Sequence, residues 1–176
     1  MSLFEQVFGV VIGEEGSYST DPADPGNWTG GAPGKGVCRG TKYGISAAAH
    51  PDTDIAQLTL ADAEAIYQQE YWQPIAGDSL PPALALLAFD AAVNCGVSRA
   101  ARWLQLACGA TPDGIVGPVT LAAIRAQAGK GAALCTEFQA QRLTFMAALP
   151  TWSQFGLGWA RRLCALPYEA MQISTE

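Results

Sequence analysis

Histidine is almost missing from this 176-residue chain, which has one, His50, and no two cysteines stand at CxxC spacing. Zinc sites draw on clustered Cys and His, and a Ser-His-Asp triad needs a histidine with an acid partner, so both chemistries lack their residues. His50 sits before Pro51 and is given no catalytic role. The five cysteines, Cys38, Cys95, Cys108, Cys135 and Cys164, are odd in number and scattered. They read as reduced, mostly buried thiols and not as a disulfide framework. Absent too are GxGxxG, the GxxxxGK phosphate loop, GxSxG and HExxH, which removes support for dinucleotide, P-loop, serine-hydrolase and zinc-protease chemistry. Neither a metal nor a cofactor is expected.

Positive charge is also scarce. Ten Lys and Arg stand against sixteen Asp and Glu, a net charge of −6, which disfavours nucleic acid as a partner because that binding neutralises phosphates. The imbalance is uneven: residues 1–90 hold twelve acids and three bases, residues 91–176 four acids and seven bases. The second half is thus able to face an anionic polymer, although a solvated helical surface explains the same pattern. No long apolar run survives inspection either. The longest charge-free stretch, 143–160, is interrupted by Pro150, Ser153, Gln154, Gly156 and Gly158, so no stable membrane insertion is expected. The N-terminal apolar run has no Lys or Arg ahead of it and meets Glu14 and Glu15 early, unlike a secretory signal.

What is present fits one globular domain. With 49% hydrophobic and 15% charged residues, a chain of this length buries roughly 70% of its unfolded surface. A single domain over 1–176 is expected, with a motif-bearing half over 1–96 and a helical half over 97–176, acting as a monomer. Phe4, Val7, Phe8 and Val11 recur at helical spacing after Ser2, predicting a helix from about Leu3 to Glu15 with Gly16 as its stop. Residues 16–46 are rich in Gly, Pro, Asp, Asn, Ser and Thr and read as a long loop with a small hairpin near Lys42 to Ile45. A loop of that length inside a compact domain points to function. Further helices are predicted from the Thr59–Asp62 cap to about Trp72, over Ala83 to Cys95, from the Ser98 cap over Arg99 to Cys108, and from Pro118 to about Ala128. Two more cover Gly131 to Leu149 and Trp152 to Gln172. The fold class is therefore all-α, mainly helical.

Carboxylates are the remaining chemistry. A glutamate at the carboxyl end of an apolar helix, as Glu15 is expected to be, has its ionised form disfavoured by the helix dipole and by burial, which suits a general acid. The competing view of Glu15 is a solvated glutamate at a helix end. The segments Glu15-Gly16-Ser17-Tyr18, Asp21-Pro22-Ala23-Asp24-Pro25-Gly26 and Gly40-Thr41-Lys42-Tyr43-Gly44-Ile45-Ser46 resemble, in order, the signature of glycoside hydrolase family 108. Leu60 to Trp72, Leu87 to Asn94 and Asp113 to Leu121 continue the likeness, which spans residues 10–125. That family comprises muramidases of phage endolysin and bacterial secretion-helper type.

The resemblance implies a lysozyme-like helical fold that cleaves the β-1,4 bond between N-acetylmuramic acid and N-acetylglucosamine in a peptidoglycan glycan strand. Glu15 is then the catalytic acid, and Asp24 polarises a water or stabilises an oxocarbenium-like centre. The eight-residue gap between these two is similar to that in phage lysozymes of family 24. A threonine holds the water: Thr41 by motif, or Thr29 by spacing, because Asn27 to Gly40 separates the two motifs. Asp24 also suits a simple turn cap before Pro-Gly. Tyr18, Trp28 and Tyr43 are candidate sugar-binding aromatics. Asp90 and Asn94, at i and i+4, either face the cleft or satisfy buried groups. Residues 104–121 are similar to a helical peptidoglycan-binding repeat. Two rival activities remain open: a lytic transglycosylase, and a non-catalytic wall-binding or secretion-assisting module. The implied route is synthesis in the cytoplasm without a signal and work on the wall in the periplasm, after holin release or local export.

Overall fold

The computed structural model describes residues 1–13 and 17–173. Glu14, Glu15 and Gly16 lie outside the described residues, so the expected catalytic acid is not part of the geometry below. The described chain is mainly helical, with seven α-helices and one two-stranded sheet. It divides into two compact units, Phe8–Tyr67 and Met1–Val7 with Gln68–Glu176.

Helix α1 spans Leu3–Val11. Ser2 and Glu5 form a reciprocal cap: the Glu5 N–H donates to Ser2 Oγ at 3.2 Å, and the Ser2 N–H donates to Glu5 Oε2 at 2.6 Å. The helix ends four residues before Glu15. Gly13 adopts φ +75° and its N–H reaches back to the Phe8 carbonyl, so the left-handed residue that stops the helix is Gly13 and not Gly16.

In the unit Phe8–Tyr67 the expected hairpin forms from β1, Thr41–Lys42, and β2, Ile45–Ser46. They pair antiparallel, with Thr41 opposite Ser46 and Lys42 opposite Ile45. Tyr43 and Gly44 both take positive φ, +51° and +76°, as a two-residue type I′ turn requires. The Tyr67 hydroxyl donates to the Tyr43 carbonyl and secures the turn. Helix α2, Leu60–Tyr67, starts at the expected cap, where Asp62 Oδ2 accepts from both the N–H and the hydroxyl of Thr59. The α-helix stops short of Trp72: Gln68–Trp72 is a π-helical turn. Such a turn advances the side chains by less per residue, and Trp72 ends fully buried with its indole N–H on Asp78 Oδ1 at 3.0 Å.

The other unit is a helical assembly around α3, Pro82–Cys95, whose residues Leu84 to Ala92 are all buried. A helix buried on every side has to be apolar all round, which explains its alanines. Pro82 occupies the first helical position, where a missing N–H costs nothing. Helices α4, Val97–Cys108, α6, Gly131–Ala147, and α7, Trp152–Ala170, pack on it. Helix α4 begins one residue before Ser98, so Gly96 holds the N-cap position expected of that serine. Helix α5, Pro118–Ala126, packs on α4. Among the described residues no helix is long and apolar enough to cross a membrane.

Candidate active site

Two of the residues singled out between 17 and 46, Asp24 and Thr41, both bond to Asn27, which the motifs did not single out. Asp24 caps the 3-10 turn Pro25–Asn27, its Oδ1 accepting the Gly26 N–H at 2.8 Å. The expected turn cap is therefore real, and it uses one carboxylate oxygen. Asn27 follows and is fully buried. Its Nδ2 donates to the Asp21 carbonyl at 2.9 Å, and its Oδ1 accepts the Thr41 hydroxyl at 2.7 Å. Its own carbonyl accepts the Arg39 and Gly40 N–H groups at 2.9 and 3.1 Å. Thr41 is further tied by exchanging both backbone bonds with Ser19 at 2.9 Å.

This network leaves Asp24 and Thr41 both close to Gly26. A methyl group built on Gly26 meets Asp24 Oδ1 at 3.2 Å and Thr41 Oγ1 at 3.8 Å, so both oxygens flank one glycine. The two threonines have different surroundings. Thr29 Oγ1 accepts the Val37 N–H at 2.9 Å and braces the 29–37 turn, whereas Thr41 stands beside Asp24.

The aromatic candidates differ in availability. The Tyr18 ring is 46% exposed, anchored by its hydroxyl on the Arg39 carbonyl at 3.0 Å. It lines a pocket of about 360 Å³ with Cys38, Arg39, Asp52, Asp54 and Ala56. Trp28 is half-buried, its indole N–H committed to the Pro22 carbonyl at 2.9 Å. Tyr43 sits in the hairpin turn with the Lys42 ammonium over its ring, 5.5 Å from the centroid.

Asp90 and Asn94 belong to the helical unit and differ in access: Asp90 is fully buried, whereas Asn94 is exposed. Asp90 has no exposed surface; its Oδ2 receives Arg142 Nη1 at 2.5 Å and its Oδ1 receives Arg162 Nε at 2.7 Å and Arg162 Nη2. Asn94 Nδ2 donates to the Asp90 carbonyl at 2.8 Å. Of the two readings the sequence allowed, Asp90 follows the second and satisfies buried groups, and the reason is charge: a buried carboxylate needs paired donors. No signal near Asp90 announced the two arginines, which lie far along the chain on α6 and α7.

Residues 104–121 form a second polar knot. Gln105, 1% exposed on α4, donates to Asp113 Oδ1 at 2.6 Å and to the Ile115 carbonyl at 3.0 Å, and accepts the Gly114 N–H at 2.8 Å. The Gln105 side chain and the Ile115 N–H hold the Asp113 carboxyl below the usual aspartate range. The turn expected at Thr111 to Gly114 is thus locked to the helix that precedes it. Among the described residues no group of three Asp, Glu, His or Cys is placed to hold a metal ion.

Residues 8–96 match the family model described as Glycosyl hydrolase 108, and residues 99–164 match one described as Predicted Peptidoglycan domain. The chain is similar to the solved structure of Brucella abortus SagA, with 31% identity and a TM-score of 0.77, over 98% of this chain and 96% of that one. No curated protein matches.

Proposed function

The chain belongs to the glycosyl hydrolase 108 family, and from that premise we propose that it is a muramidase that cleaves the β-1,4 bond between N-acetylmuramic acid and N-acetylglucosamine in peptidoglycan. A glycoside hydrolase joined to a peptidoglycan domain has a polymer of the cell wall as its substrate. The observation that supports the finer reading is the closeness of both Asp24 and Thr41 to Gly26, since inverting hydrolysis needs acceptors that hold a water opposite the proton donor.

In this reading Glu15 gives its proton to the glycosidic oxygen as the bond from that oxygen to the anomeric carbon breaks. Water held by Asp24 and Thr41 forms the new bond to that carbon, and its proton passes to the Asp24 carboxylate. Positive charge developing on the sugar is offset by the same carboxylate. The exposed Tyr18 ring supplies a face for a sugar or its acetamido group, with Trp28 and Tyr43 as weaker contributors. The substrate lies at the wall, so the enzyme works in the periplasm after release or export.

The decisive experiment is digestion of purified peptidoglycan by the wild type and by Glu15→Gln. Wild type should release reducing muramic acid ends, and Glu15→Gln should lose about 10²- to 10⁴-fold in rate while still sedimenting with the sacculi. Anhydro-muramyl ends identify a transglycosylase instead. Unchanged release by the variant means that Glu15 is not the acid.

A further inference from the structure

The geometry assigns Asn27 a positioning role: it fixes the direction of the Thr41 hydroxyl so that this oxygen receives, and never gives, a hydrogen bond at the reacting water. The inference rests on the muramidase reading. Asn27 is wholly buried within a run of turns, where both ends of an amide have to find partners. Its neighbour on one side is the Asp21 carbonyl, 2.9 Å away, which accepts only. The amide therefore sits one way round, nitrogen toward Asp21 and oxygen toward Thr41.

That orientation decides the next link. Asn27 Oδ1 accepts only, so the Thr41 hydroxyl 2.7 Å away gives it its single proton. What Thr41 has left is lone pairs. An ionised carboxylate at Asp24 also offers acceptors alone. A water lodged between two acceptors donates one proton to each and keeps a lone pair for the anomeric carbon. A Thr41 hydroxyl turned the other way would donate to that water and occupy the lone pair. The chain of donors thus runs from water to Thr41 to Asn27, and a backbone carbonyl fifteen atoms of loop away sets its sense through one buried amide.

The backbone arrangement makes the side chain testable by itself. The Asn27 carbonyl bonds to Arg39 and Gly40, and the Thr41 bonds to Ser19, do not involve the amide, so the loop has its own ties when the side chain changes. The test measures kcat and KM on purified peptidoglycan for Asn27→Leu, Thr41→Val, and the double variant. Asn27→Leu should lower kcat about tenfold to a hundredfold, the scale of a misplaced reactant, with KM within about twofold. In the Thr41→Val background the same change should cost no further kcat, because Asn27 acts through that hydroxyl. Asn27→Asp, which restores an acceptor toward Thr41, should recover part of the loss.

Multiplying losses in the double variant, or a KM effect as large as the kcat effect, overturns the inference. Should Asn27→Leu fail to fold, the unmutated protein decides by NMR: the Thr41 hydroxyl proton should exchange slowly with solvent, and exchange at the rate of a free hydroxyl overturns it. The two readings fail separately. Release of anhydro-muramyl ends sinks the muramidase reading, and full activity in Glu15→Gln removes Glu15 as its acid, whereas reducing ends, an inactive Glu15→Gln and independent Asn27 and Thr41 effects sink this one alone.

Discussion

Replacing Asp90 by Asn keeps the shape of the side chain and removes its charge. The carboxylate is completely buried and holds Arg142, 1% exposed, and Arg162, whose side chain is 42% exposed. Arg142 has no alternative, since its Nε is buried without a hydrogen-bond partner among the described residues. Removing one member of a buried pair leaves a charge uncompensated, at a cost of about 3–5 kcal/mol. For a chain of this size each kcal/mol lowers the melting temperature by about 2–4 °C, so Asp90→Asn should melt roughly 6–20 °C lower. Arg162→Gln should cost much less, about 1–2 kcal/mol, because water reaches that side chain and Arg142 stays on Asp90. Calorimetry of the three proteins reads the melting temperatures, and peptidoglycan digestion well below them reads turnover per folded molecule. Turnover of Asp90→Asn should stay within about threefold of wild type, since a carboxylate occupied by two arginines has no oxygen to spare for a sugar. A melting shift under about 3 °C, or a collapse of turnover in a protein that melts like wild type, would refute the reasoning and return Asp90 to the sugar-binding residues.

Three further outcomes follow from the same structure. Gln105→Ala should destabilise by about 2 kcal/mol in urea titration, because the Gly114 N–H and Ile115 carbonyl lose a buried partner. It should also raise the Asp113 pKa toward the ordinary aspartate value in a carboxyl NMR titration. The sign is fixed by the depression: a folded pKa below the unfolded one gives stability that is present above about pH 4 and lost as pH falls through the folded value. An unmoved Asp113 titration would contradict the assignment. Gly44→Ala should cost about 1–3 kcal/mol, since Gly44 has φ +76° and an added methyl meets the Tyr67 hydroxyl at 2.5 Å; equal stability in thermal melts would count against the hairpin. Cys135 and Cys164 line the same apolar cavity of about 690 Å³, but burial pushes the Cys135 thiol up while Cys164 is exposed. Mass spectrometry after brief iodoacetamide treatment should find Cys164 alkylated well before Cys135, and the reverse order would disprove the burial argument.

Features written in a few consecutive residues were legible in the sequence. The Ser2 and Thr59 caps, the proline start at 118 and the hairpin around Tyr43 each depend on neighbours within about four positions, and each formed where expected. The end of α1 was misplaced because Gly13 and Gly16 carry the same local signal, and Gly13, with φ +75°, already ends the helix. The π-helical turn before Trp72 was invisible, since burying the indole against Asp78 is a tertiary demand that overrides helical spacing. Around the candidate site, Asp24 and Thr41 were singled out through their motif, but Asn27 was not. An asparagine among turn residues looks like another turn former until Thr41, brought back by the chain, lies on it. Asp90 failed in the opposite direction. Its i+4 partner Asn94 was readable, whereas Arg142 and Arg162 come from helices that periodicity cannot dock.

The first turn of α1 belongs with a unit whose remaining residues start at Gln68, and its Phe4 ring lies 5.5 Å from Trp72 and 6.0 Å from Phe89. On a ribosome, this aromatic side chain leaves the tunnel long before either companion has been translated. At ordinary elongation speeds the wait to Phe89 is roughly 4–17 s, during which a nascent amphipathic segment has its oily stripe open to chaperones or to aggregation. Closing so wide a gap also has an entropic toll that local helix pairing avoids. The opening residues of this chain are thus born first and seated late, and clipping them removes a wall from a core assembled out of much younger sequence.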